Sequence, residues 1–255
     1  MKSLRPLLIL VSLLLIVGLA GGCRSAQQTD ATGPKAIVEG PTATPPPAET
    51  AAPQIKGGEA QAFFAEEFDN PLSADWTPFL YYDEKVSDPE AVTVQTENGK
   101  LVWNINTKEF DDYLFYKAFS YKDVKIETRY DNRGVNNNYV SLICRYDAKY
   151  GWYEFNVAGN GLYNIFAMEI LENGKLRENR IANGGSFAIK QGKGINEYAA
   201  TCQGDQLTLR INGEKVVSVT DAKYSMNEGQ VGVAVSSLNV LPVVVEMDWF
   251  KVSEP

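Results

Sequence analysis

The stretch YVSLICRYDAKYGWYEFNV, residues 139–157, decides the fold class. Its second half sets Tyr153, Phe155 and Val157 against Trp152, Glu154 and Asn156, the period of two that a half-buried strand requires. Its first half, YVSLICRY, also reads as a strand, and a short loop joins the two. Upstream, VKIETRYD (124–131) sets Val124, Ile126, Thr128 and Tyr130 against Lys125, Glu127, Arg129 and Asp131. Downstream come GLYNIFAMEI, then QLTLRINGEKVVSV, where Leu207, Leu209 and Ile211 face one way, and finally QVGVAVSS and VVVEMDWFKV. Asn-Gly pairs begin at Asn98, Asn160, Asn173, Asn183 and Asn212, and such pairs favour the tight turns of antiparallel hairpins. No run of a dozen residues carries a helical period with caps. The chain is therefore expected to be all-β, an antiparallel sandwich.

The ends are of a different character. Lys2 and Arg5 precede an apolar run from Leu7 to Ala20, too short to cross a bilayer and ordered like a secretory leader. Ala20, Gly21 and Gly22 end on Cys23, which resembles a bacterial lipobox. That resemblance implies cleavage after residue 22, a diacylglycerol thioether on Cys23 and acylation, palmitate included, of the new amino terminus. Residues 23–59 hold six of the chain's 12 prolines between Pro34 and Pro53 and show no apolar period, the composition of a spacer. Residues 60–255 are enough for one domain. The expected product is an exported monomer, held at the bacterial cell surface by its lipid.

Charge and missing residue types narrow the chemistry. Removing residues 1–22 takes away Lys2 and Arg5 and no acid, which carries the formal charge from −8 to −10. Such acidity disfavours nucleic acid as a partner. The sequence contains 0 histidines, which excludes a Ser–His triad and any zinc site built on imidazole. With Cys23 consumed by lipid, Cys144 and Cys202 remain in an oxidising compartment, either as a disulfide or as two separate buried thiols. GSFAIKQGKG has the wrong gap for a phosphate loop, and Gly194 stands where Ser or Thr is required.

Taken in order, FFAEEFDNPLSADWTPF, then YVSLICRYDAKYGWYEFNVAGNGLYNIF, then NEYAATCQGDQLTLRINGEKVVSVTD with GQVGVAV, and last VEMDWFKV, resemble the concanavalin A-like lectin/glucanase superfamily. The nearest group is the 3-keto-disaccharide hydrolase-like domains and the sandwich domains of bacterial lipoproteins. The resemblance spans roughly residues 63–252 and implies a jelly roll of two curved antiparallel sheets. It also implies pairing of Cys144 with Cys202. In relatives the Asp of the closing strand helps hold a structural calcium, which here would be Asp248 with backbone near Glu67.

Glucanases on this fold carry a Glu-x-Asp-x-x-Glu strand. Here Glu246-Met-Asp248 is followed by Trp249, Phe250 and Lys251, so the third acid is missing and catalysis by this motif is not expected. What remains is a surface. Glu127, Arg129, Ser141, Arg145, Trp152, Glu154 and Asn156 lie on the polar sides of three successive strands, and they form one patch on the concave sheet if those strands are neighbours. Such a patch suits a polysaccharide or oligosaccharide, with Trp152 stacking on the sugar and the polar groups meeting hydroxyls. The competing reading is a solvated face of Glu–Arg pairs. Tyr81, Tyr82, Phe110 and Tyr113 read as packing or loop residues. The leading expectation is a non-catalytic, lectin-like domain requiring no cofactor. The alternatives are a keto-disaccharide hydrolase-like enzyme using Glu127, Glu154 and Arg145, and a structural module of the cell envelope.

Overall fold

The computed structural model describes residues 61–255 and the backbone of Ala36–Glu39. The leader, Cys23 and the rest of the spacer lie outside the described residues. Two antiparallel sheets face each other. In strand order, sheet A runs β1 (Ala36–Glu39), β3 (Trp76–Tyr82), β6 (Phe110–Tyr121), β15 (Gly229–Ser237), β8 (Asn138–Asp147), β9 (Gly151–Ala158), β10 (Leu162–Ile170) and β11 (Leu176–Gly185). Sheet B runs β14 (Glu214–Thr220), β13 (Gln206–Ile211), β12 (Ile195–Gln203), β7 (Val124–Asn132), β16 (Val243–Ser253), β5 (Leu101–Ile105) and β4 (Val92–Thr96), and the short β2 (Phe64–Glu66) pairs with β16. Sequence neighbours repeatedly sit apart in space, the mark of a jelly roll. No helix among the described residues is long and apolar enough to cross a membrane.

The alternation read from sequence is what packs the sheets. Val124, Ile126 and Tyr130 of β7, Tyr153, Phe155 and Val157 of β9, and Leu207, Leu209 and Ile211 of β13 all enter one core. Asn98–Gly99 and Asn212–Gly213 turn with positive φ at both residues, the geometry that suits a two-residue hairpin loop. Asn160–Gly161 and Asn173–Gly174 make the turns flanking β10. The fifth pair departs from expectation. Asn183–Gly184 lies inside β11, where a Cβ on Gly184 would come within 2.7 Å of the Tyr163 hydroxyl. That glycine makes room for a ring and turns nothing.

Cys144 of β8 and Cys202 of β12 form a disulfide with Cα atoms 6.6 Å apart, so the bond ties sheet A to sheet B. Beside it, Arg145 holds the crossings between sheets. It stands at a bulge with φ 58°, and its guanidinium is only 2% exposed. Nε donates to Lys122 O and Nη1 to Met226 O, both at 2.8 Å, with Asp123 at 3.4 Å. Residues 122–123 carry the chain from sheet A to sheet B, and residues 221–228 carry it back. The second crossing is also pinned by Asp221, which accepts from the Tyr153 hydroxyl and from the amides of Lys223, Tyr224 and Ser225. Burial alone would raise the Asp221 pKa, but these hydrogen bonds outweigh it and hold the carboxyl below its ordinary range. Arg145→Met leaves the Lys122 and Met226 carbonyls without their charged donor and is expected to cost about 2 kcal/mol. Urea unfolding measures the loss, and limited proteolysis should show earlier cutting within 221–228.

Candidate functional site on the outer face of sheet A

The face of sheet A turned away from sheet B carries a second, smaller apolar cluster built from Tyr113, Phe115, Ile143, Trp152, Phe166 and Met168. Rings dominate it. Phe115 stacks on Tyr146 at 3.7 Å, and Trp152 meets Tyr113 edge-on at 5.3 Å. Glu154 is set into this cluster with only 2% of its surface exposed. Trp152 Nε1 donates to Glu154 Oε2 at 2.8 Å, and the Tyr113 hydroxyl donates to the same oxygen at 3.3 Å. Since both donors converge on Oε2, the proton of a neutral carboxyl belongs on Oε1. Burial, then the charges of Asp111 and Glu178, push the Glu154 pKa up to about 8 against the pull of the two donors. The group is mostly a neutral acid at pH 7 and can itself donate.

Register places further polar groups beside it. Ser141 faces Asn156 across β8 and β9, Asn156 faces Asn164 on β10, and Asn164 faces Asn183 on β11. Ser141 Oγ and Asn156 Oδ1 are buried and have no hydrogen-bond partner in the protein. Tyr139, two residues before Ser141 on β8, lies on the same face. In the next row, Glu154 is followed by Phe166 and Arg180, whose guanidinium lies 5.5 Å over the Phe166 ring. Burial falls across the face: Asn164 is half-buried, while Glu178, Arg180 and Asn183 are exposed.

The seven residues expected to share one patch divide into three groups. Ser141, Glu154 and Asn156 come together as described. Glu127 and Arg129 do not join them, because β7 belongs to sheet B: the chain changes sheets in residues 133–137, which hydrogen-bond to Val244 and Pro242 at the start of β16. There Glu127 pairs with Lys125 at 2.7 Å and Arg129 with Asp248 at 2.7 Å. Arg145 is committed to the sheet crossings. Trp152 is on the expected face but 0% exposed, with its N–H held by Glu154, so it supports the site and offers no open ring for stacking.

Two residues read as packing have a second role or place. Tyr82 and Phe110 do stack in the core at 5.2 Å, but Tyr81 and Tyr113 sit on the outer face, and Tyr113 contacts Glu154. In FDDYLFY both faces of β6 carry aromatics, so alternation gave no polar contrast by which to separate them. Asp111 and Glu178 were missed for a different reason: they come from β6 and β11, far from Glu154 in sequence.

The surroundings of Asp248 do not fit a calcium ion. Its carboxylate is bridged by Lys100 at 3.0 Å and Arg129 at 2.7 Å, two cations that engage both of its oxygens.

The profile of the 3-keto-alpha-glucoside-1,2-lyase-like domain matches residues 66–241. The chain belongs to this family. The match includes the residues around Glu154 and stops just before β16, which is itself an interior strand of sheet B. No curated protein matches the chain. Among solved structures, the lyase-like domain is similar to a glycoside hydrolase family 16 endo-glucanase from Bacteroides ovatus, at 14% identity and TM-score 0.53, covering 74% of this chain and 99% of that one. A beta-1,3-glucanase from Mycobacterium marinum aligns at 13% identity and TM-score 0.50, covering 77% and 100%. LamAcat from Zobellia galactanivorans aligns at 9% and 0.50, covering 75% and 96%. These likenesses show the concanavalin A-like jelly-roll fold.

Proposed function

We propose that the outer face of sheet A binds carbohydrate, with covering side chains moving aside so that Glu154, Ser141 and Asn156, buried in the free protein, meet sugar hydroxyls, on a protein exported and held at the cell surface by lipid on Cys23. The observation that carries this reading is the pair of buried, unpartnered acceptors, Ser141 Oγ and Asn156 Oδ1, next to a carboxyl gripped by two donors. A buried acceptor without a partner costs roughly 1–3 kcal/mol, which a ligand hydroxyl would recover. Family membership supports a sugar as that ligand, and the disulfide supports an oxidising compartment.

Calorimetric titration against a panel of glycans and 3-keto-α-glucosides tests the reading. Binding by the parent protein is expected, weakened roughly tenfold by Ser141→Ala or Asn156→Ala and at least as much by Glu154→Gln. A folded protein that binds nothing on the panel would refute it.

A catalytic reading is favoured by one specific feature, the neutral state of Glu154. In a 1,2-elimination from a 3-keto-α-glucoside, the ketone acidifies the C2 hydrogen. A base removes that proton, the C1–O bond breaks with its electron pair on oxygen, and an acid such as Glu154 protonates the leaving group. Release of the aglycone by the parent protein and not by Glu154→Gln would establish this over binding alone.

A further inference from the structure

Ser141, Asn156, Asn164 and Asn183 stand opposite one another on four consecutive strands, one row running across the sheet to its edge. Strands lie 4.7–4.9 Å apart, so the row spans about 14 Å, too long for a single sugar ring. Burial falls along it. Ser141 and Asn156 are enclosed, Asn164 is half-buried and Asn183 is open.

Where the row ends, two large apolar side chains face solvent. Leu162, two residues before Asn164 and on the same face of β10, is 50% exposed. Phe187, just past the end of β11, is fully exposed. They belong to one locality, since Leu162 faces Gly185 and the amide of Ser186 donates to Gly161 O. Ala188 and Ile189 turn back into the core. Phe187 alone of its turn points outward, with no packing duty to explain an aromatic there. Rings stack on the apolar faces of sugars, and amides meet their hydroxyls.

We infer that the ligand is an oligosaccharide chain, seated at Ser141 and Asn156, crossing β10 and β11 along Asn164 and Asn183, and leaving over the sheet edge against Leu162 and Phe187. This rests on the carbohydrate reading above and adds its length and direction. A site for a disaccharide alone would use the buried end of the row and gain nothing from the open end.

The experiment titrates disaccharide and hexasaccharide of the maltose, cellobiose and laminaribiose series into the parent protein, Phe187→Ala and Asn183→Ala. The hexasaccharide of the bound series is expected to bind at least tenfold more tightly than its disaccharide. Each variant should remove most of that ratio and leave disaccharide affinity unchanged. Phe187 is wholly exposed, so its loss does not threaten folding. Equal affinity for both lengths, or a ratio untouched by either variant, overturns the inference and leaves the carbohydrate reading standing. Absence of binding by any of the six sugars overturns both.

Discussion

A Cys144→Ala, Cys202→Ala double variant is expected to melt roughly 8–16 °C below the parent protein, the equivalent of about 4 kcal/mol in a domain of this size. The bond spans 58 residues of sequence, so breaking it returns to the unfolded chain the freedom of a long loop. Its position adds to the effect. The two residues are 0% exposed and lie on different sheets, β8 in sheet A and β12 in sheet B, so the link crosses the core. Nearly all other covalent continuity between the sheets runs through loops such as 133–137 and 221–228. Scanning calorimetry of parent and variant measures the shift, and reduction of the parent with a strong thiol should reproduce it. A fall of less than about 3 °C would mean that the unfolded chain is already restricted without the bond.

Stability is also expected to decline as pH rises from about 4 to 8, with Glu154 responsible for about 3 kcal/mol of the loss at pH 7. The folded protein holds the Glu154 proton more tightly than the unfolded chain does, since burial lifts the folded pKa to about 8. Stability from this group is therefore complete below the unfolded pKa, near 4, and is lost as pH climbs through the folded one. Asp112, facing the core from β6, acts in the same direction in a lower window, because burial lifts its pKa to about 7. Asp221 opposes both. Its pKa is depressed, so its contribution holds above the unfolded value and disappears as pH falls below it. The three together place maximum stability at mildly acidic pH. Urea unfolding of Glu154→Gln should give a flatter pH profile and higher stability than the parent at pH 8. An unchanged slope would show that Glu154 ionises freely, and the neutral-acid role proposed for it would fail with it.

How far the sequence could be read depended on the range of the interactions involved. Alternation within a strand is local, and Tyr153, Phe155 and Val157 of β9 pack as their period required. Turn chemistry is nearly as local, and it failed only at Asn183–Gly184, where the contact that selects glycine comes from Tyr163 on the next strand. Ser141, Glu154 and Asn156 were legible because β8 and β9 are joined by a short hairpin, so neighbours in sequence remain neighbours in space.

Strand order was not legible in that way. Arg129 and Arg145 carry the same group on strands that follow each other, yet one is an ion-pair partner on sheet B and the other a buried clamp between sheets. The sequence alone determined the all-β class, the strand periods and the hairpin that presents Glu154. The tertiary structure decided which strands adjoin, and with that the company Glu154 keeps: Tyr113 from β6, Phe166 and Arg180 across β10 and β11, and the Asn164 and Asn183 row beside them. The physical reason is that a side-chain period states which way a residue points along its own strand, while pairing across a jelly roll is settled by how two whole sheets bury their inner faces against each other.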